Sequence, residues 1–344
     1  MSAATVPADT TTERDAQPPV ESRVPHAGWR VIAAKELGDH LLSVRFIVLL
    51  IVLGLAAAIP LYFAADLIRS VAPQASAAPA VFLALFTLGS QDYSFLRVDS
   101  FVAIVAPLLG LAFAFDAING ERSEGTLPRL LAQPIYRDDV INGKFAAGLA
   151  VIGVVLLAVI GIIAGYGIFR LGIVPDSEEV VRLFAWIAVT FVYVGLWLAF
   201  GLLLSVLVRR AATSALVGFG IWFVLTIFGG LILDIIGRAI SPLTGSTLEE
   251  QIGQEQTQQF ISRLLPGQLY AEVTAVLLDP RSNPQLDLPG SLGQAQQAAQ
   301  QVPTLLAFDQ SILLVMPQVV ALVALMVLCF GLAYVAFMRQ EVRA

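Results

Sequence analysis

Arg209 and Arg210 stand alone inside an apolar stretch that otherwise runs from Leu183 to Leu233. About 20 residues of helix cross the hydrocarbon core of a bilayer, so a stretch this long cannot be one span. Two adjacent guanidinium groups inside lipid would each cost at least a few kcal/mol. The chain must therefore return to water at the arginine pair, and two spans joined by a tight hairpin follow. Uncharged windows of this kind recur at residues 46–65, 100–115, 145–169, 183–208, 211–233 and 310–338. The second extends at both ends toward Val98 and Asn119 near the interfaces. Hydrophobic residues make up 57% of the chain and charged residues 13%, well below the quarter or so that is charged in soluble domains. The pattern predicts an all-α polytopic membrane protein with six transmembrane helices.

Between the second and third windows lies the one stretch with a dense set of charges, residues 115–144, FDAINGERSEGTLPRLLAQPIYRDDVINGK. Glu121, Arg122, Glu124, Arg129, Arg137, Asp138, Asp139 and Lys144 place it in water and make it a polar surface offered to something outside the bilayer. Glu121 to Glu124 lie on the first turns of a helix, and Gly125 can end or bend that helix. Thr126 with Pro128 reads as an N-cap followed by a first-turn proline opening a second helix. Two short helices joined at a glycine are expected, with Asp116 paired to Arg122 or Arg129.

This segment resembles the cytoplasmic loop of ABC transporter permeases of the type-2 (export) class. The family pattern is an aspartate ending the second span, then E-R-x-x-G-T-L, a leucine pair, a proline, an arginine, and G-K opening the third span. It is matched by Asp116, Glu121, Arg122, Gly125, Thr126, Leu127, Leu130, Leu131, Pro134, Arg137, Gly143 and Lys144. The number and order of spans also fit, and residues 262–280 are similar to a segment before the last span in some members. The resemblance implies a coupling loop at 116–144 that docks on a separate ATP-hydrolysing subunit, with Asp116, Glu121, Arg122, Glu124, Gly125, Thr126, Leu127, Leu130, Pro134 and Lys144 as the coupling residues. It also implies a second permease copy, or a similar permease, as partner.

The remaining chain fits that reading. Residues 1–25 are a flexible tail without periodic apolar positions, and 26–344 form the permease domain. There is no apolar core before a small-residue cleavage site, so no signal peptide is expected. Over 29–45, Ala33, Leu37, Leu41 and Val44 share one helix face, while Lys35, Glu36, Asp39 and Ser43 share the other. That pattern predicts an interfacial helix on membrane lipid. Lysine and arginine favour the side holding the N-terminus, among them Lys35, Arg45, Arg122, Arg137, Lys144, Arg209, Arg210 and Arg339. Both termini are therefore expected in the cytoplasm. The opposite side carries a first loop near 66–97 and a larger extracytoplasmic loop, 237–309, between the fifth and sixth spans. The larger loop is expected to form a small domain or cap that can engage an extracytoplasmic partner, with apolar residues at helical spacing over 257–278.

Several chemistries are excluded. No G-x-x-x-x-G-K-[ST] loop is present, so the chain binds no ATP or Mg itself and is not an enzyme; both are expected on the partner subunit. His26 and His40 have no metal-site spacing, and the single Cys329 allows no internal disulfide. The net charge of −6 comes with no basic stripe, which argues against nucleic acid. The spans show no midplane carboxylate of the kind an ion-coupled carrier needs. Within the third window Gly161 and Gly165 have the spacing that lets helices approach closely, and Pro60, Pro107 and Pro317 mark points where spans can bend. The expected function is the membrane subunit of an ATP-driven exporter. The alternative is a mechanically acting scaffold whose external loop engages a partner without solute transport.

Overall fold

The computed structural model describes residues 28–75, 80–88, 97–128, 135–241, 248–279 and 306–340. All regular elements among these are helical: α1 (Gly28–Leu41), α2 (Val44–Ala75), α3 (Ala84–Thr87), α4 (Val98–Ala114), α5 (Asn119–Ser123), α6 (Arg137–Leu171), α7 (Ser177–Leu207), α8 (Ala211–Phe223), α9 (Gly229–Ile240), α10 (Leu248–Ser262), α11 (Pro266–Leu278) and α12 (Phe308–Arg339). A π turn, Val224–Phe228, joins α8 to α9. Six helices are long and apolar enough to cross a membrane: Val44–Ala65, Val98–Ser123, Arg137–Leu171, Ser177–Leu207, Ala211–Ile240 and Phe308–Arg339. The fourth and fifth part at residues 208–210, around the arginine pair.

The core forms around α7, which packs against α4, α6, α11 and α12. Its start is capped from within: Asp176 accepts the Glu179 amide proton at 2.7 Å, and the Glu179 carboxylate accepts the Asp176 amide proton at 3.0 Å. Glu179 also accepts the amide protons of Phe82 and Leu83, at 2.8 and 3.3 Å, which holds the segment before α3. The tightest crossing is between the second and fourth spans. A Cβ on Gly110 would stand 2.5 Å from the Val194 carbonyl oxygen and 2.7 Å from the Leu198 nitrogen, so only glycine permits that approach. Gly161, by contrast, has no atom in its own chain within 4 Å of such a Cβ, and Gly165 meets only Phe169. Pro107 and Pro317 both sit inside continuous helices, as does Pro60.

The N-terminal stretch differs from the single helix expected over 29–45. Helix α1 stops at Leu41, and Ser43 starts α2 by accepting the Phe46 amide proton on its hydroxyl at 3.2 Å. Rather than presenting a continuous apolar stripe, α1 lies along α6 with Ile32 buried and Glu36 half-buried. Val44 opens α2 instead of continuing α1.

The stretch between the fifth and sixth spans folds back onto the bundle where it is described. Phe260 and Leu264 are exposed, and the helical spacing breaks before Pro266, which opens α11 at its first turn. Beyond the break Leu269, Tyr270, Val273, Val276 and Leu277 are buried against α7 and α12. Tyr270 stacks on Tyr193 with ring centroids 4.4 Å apart and bonds the Thr190 hydroxyl at 2.9 Å. Trp186 donates its indole proton to Thr274 at 3.1 Å. Two charges near the ends of spans or in the connection before the last span are also packed in. Arg182 is 1% exposed, with Glu178 at 2.8 Å and Ser311 at 3.1 Å, and Glu272 accepts from Arg263 at 2.8 Å and from Gln318 at 2.9 Å.

Candidate functional site

The charged loop is built onto the end of the second span. After α4 the chain turns, and the amide protons of Ile118 and Asn119 go to the Ser205 hydroxyl at 2.9 and 3.2 Å. The Asn119 side chain donates to the Val208 carbonyl at 3.2 Å, so α5 begins pinned to the end of the fourth span. It ends just as tightly. Gly125 adopts φ +70°, the Thr126 amide donates to the Glu121 carbonyl at 2.9 Å, and the Gly125 amide donates to the Arg122 carbonyl at 3.3 Å. This paired closure needs a left-handed residue at that point, which glycine takes without steric cost. The Thr126 hydroxyl turns back onto the Glu121 carbonyl at 3.2 Å instead of forward as a cap. Leu127 and Pro128 begin the next helical turn; Arg129, Leu130, Leu131 and Pro134 lie outside the described residues.

Beneath this turn sits a buried cation. The Lys144 ammonium is 2.7 Å from Glu121 and 3.0 Å from Glu36, which joins the loop, the N-terminal helix and the third span at one nitrogen. The Lys144 side chain is 5% exposed and the two carboxylates 20% and 14%. The preceding residue makes the contact sterically feasible: a Cβ on Gly143 would lie 2.7 Å from the Ile32 Cβ and 2.9 Å from the Trp29 carbonyl oxygen. Glycine thus lets α1 come close, and the lysine then fastens it. Asp139 does the same one turn earlier, accepting the Trp29 amide proton at 3.0 Å and the Tyr136 amide proton at 3.3 Å.

Several charges that the sequence places in water are therefore partly withdrawn from it, because they find partners on distant segments. Asp116 pairs with Arg45 at 2.5 Å rather than with Arg122, and Arg129 lies outside the described residues. The Arg122 guanidinium donates to the Gln340 side chain, and Arg137 donates to the Gln340 carbonyl at 2.9 Å while lying over the Phe337 ring at 5.6 Å. Gln340 in turn donates to the Val206 carbonyl at 2.8 Å. His40 packs edge-on to Phe113, ring centroids 5.2 Å apart. Burial lowers its pKa below the ordinary value against the opposing pull of the Glu36 carboxylate.

The candidate residues thus separate into two groups. Asp116, Glu121, Arg122 and Lys144 face inward and are engaged, and Leu127 is buried. Glu124, Gly125 and Thr126 form an exposed turn directly above them. Glu36, Asp139 and Gln340 complete the network and were not singled out from sequence. Their positions carry no motif, and Glu36 shares its helix with Arg30, Lys35 and Asp39, so nothing local marks it for burial.

Six apolar helices around a helical core, closed at one end by a paired polar network, define a multi-pass helical membrane protein. A family profile described as "ABC-2 family transporter protein" matches residues 30–342, and the chain belongs to that family, as a type-2 ABC permease. It is 30% identical over 141 residues to "Probable ABC transporter permease protein NosY" of Stutzerimonas stutzeri, covering 39% of this chain and 49% of that protein. It is 29% identical over 161 residues to the protein of the same description in Pseudomonas aeruginosa, covering 45% of this chain and 55% of the relative. The matches span about half the length of these curated relatives.

Proposed function

We propose that this chain is the membrane-spanning subunit of an ATP-driven exporter, powered by a separate cytoplasmic ATPase that docks on the exposed turn Glu124–Gly125–Thr126. The observation that carries this reading is the placement of Lys144 under that turn. A push on the turn moves α5, α5 carries Glu121, and Lys144 shares that displacement with α1 through Glu36 and with the third span through its own backbone. A firmly paired, water-poor junction transmits force because breaking a buried pair is costly, on the order of 3–5 kcal/mol.

Membership in the ABC-2 family supports a separate ATPase as the partner, since the family consists of membrane components of ABC transporters. A second permease copy completes the assembly, with ATP and Mg on the ATPase. The excess of lysine and arginine at the loop end supports placing that end, and both termini, in the cytoplasm.

The test is to purify the native complex through a tag on this chain. Glu124→Arg is expected to lose the co-purifying ATPase and its stimulation while leaving the thermal stability of the permease unchanged, because the residue is exposed. Gly125→Val is expected to lose stimulation as well, at a cost of about 1–2 kcal/mol for a left-handed non-glycine residue. Full ATPase capture and stimulation with Glu124→Arg would refute docking at this turn. Capture of an external protein, without vectorial movement of any solute, would favour the mechanical scaffold.

A further inference from the structure

Gln340, the first residue beyond the sixth span, has each of its polar groups engaged. Its side-chain oxygen accepts from the Arg122 guanidinium of α5, its side-chain nitrogen donates to the Val206 carbonyl at 2.8 Å, and its backbone carbonyl accepts from Arg137 at 2.9 Å. Its amide donates to the Phe337 carbonyl at 3.3 Å and so closes α12. One residue therefore joins the loop, the start of the third span and the ends of the fourth and sixth.

The chemistry of this position calls for an amide side chain. Val206 lies in the last turn of α7, where a carbonyl finds no amide four residues further along the same helix. A carboxylate at residue 340 could hold Arg122 but has no proton for Val206, and an ammonium could serve Val206 but accepts nothing from an arginine. The same turn of α7 is gripped from its other side, where the Ser205 hydroxyl accepts the amide protons of Ile118 and Asn119 at 2.9 and 3.2 Å. Below Gln340, Phe337 is buried with the Arg137 guanidinium over its ring, which fixes the end of α12 in place. The Lys144 junction reaches other elements: its two carboxylates come from α1 and α5, and among the described residues no side chain of α12 pairs with it.

We propose that Gln340 is a positioning residue that carries displacement of the loop to the sixth span. Arg122 moves with α5, Gln340 follows Arg122, and the ends of the fourth and sixth spans move with them as one unit, while the Lys144 junction serves α1 and the third span. This inference rests on the loop being the docking site of the ATPase. It adds a second output arm that can be cut without touching the exposed turn.

The test uses the full-length chain in lipid nanodiscs, titrated with the ATPase captured on its tag, and reads half-saturating ATPase concentration separately from maximal stimulation. Gln340→Met keeps the length of the side chain and removes both of its hydrogen bonds. It is expected to leave half-saturation unchanged and to lower maximal stimulation about fivefold, the factor carried by one hydrogen bond of about 1 kcal/mol. Gln340→Glu retains the acceptor for Arg122 and is expected to stay within about twofold of the unmodified chain. Stimulation that merely follows the thermal midpoint across these variants would mean a structural role and overturns the proposal, as does full stimulation with Gln340→Met. Arg122→Met severs the same bond from the loop side and decides the matter should the Gln340 variant not fold. Glu124→Arg separates the two readings. If it leaves docking intact, or if the unmodified chain captures no ATPase, the docking site falls and this inference with it; weakened docking there beside full stimulation with Gln340→Met sinks this inference alone.

Discussion

Lys144 lies 2.7 Å from Glu121, and the other oxygen of that carboxylate is buried without a hydrogen-bond partner. Together with Glu36 the pair forms a three-charge junction in which one cation holds two anions. Removing the cation leaves two facing carboxylates with little water around them. Lys144→Met is therefore expected to destabilise the protein by about 3–5 kcal/mol, read as a fall in thermal midpoint in detergent. The exposed Lys35–Asp39 pair, 67% and 63% exposed, provides the contrast; Lys35→Met should change stability by no more than about 0.5 kcal/mol. Equal effects would mean that Lys144 is effectively solvated.

A second expectation concerns helix packing. Gly110→Leu must push backbone atoms of Val194 and Leu198 apart, since a Cβ there falls within 2.7 Å of both. Overpacking of this kind costs about 1–3 kcal/mol. Gly161→Leu, with no neighbour of its own chain in reach, should leave the stability of the isolated protomer unchanged. Thermal unfolding of the two variants side by side checks the ranking; a destabilised Gly161 variant alongside an unaffected Gly110 variant would contradict it.

Protonation gives a third. Burial holds the folded-state pKa of His40 below its ordinary value of 6.5. The unfolded chain then takes up the proton first as pH falls, so stability is complete above about 6.5 and declines as pH drops through the folded pKa. Glu36 and Asp116 oppose that shift, while Lys144 and Arg45 add to it. His40→Gln should flatten stability against pH below about 6.5, measured as thermal midpoint in a pH series. An unchanged slope would show that other groups carry the dependence.

Much of the architecture was legible in the chain itself because the membrane reads a local property. Twenty apolar residues in a row form a span whatever surrounds them, so the six windows and the hairpin at Arg209 and Arg210 could be identified without knowing any partner. The E-R-x-x-G-T-L run could likewise be read as a glycine-closed turn, since Gly125 closes α5 through bonds reaching only five residues back. The same local reading misjudged α1. Glu36 was assigned to water because its neighbours in sequence gave no reason to bury it, and its actual partner lies 108 residues away.

Hydropathy and capping along the chain determined that this protein crosses a membrane as helices and carries a charged, hinged loop between two of them. Only the tertiary structure decided which charges of that loop are spent internally and which remain free to meet a partner. Asp116 chose Arg45 over Arg122, Lys144 drew in Glu36, and the stretch starting at Pro266 tucked against α7 and α12. Burial energy depends on what arrives from elsewhere in the fold, and an ion pair's partner is selected by distance in space, a quantity that sequence spacing does not contain.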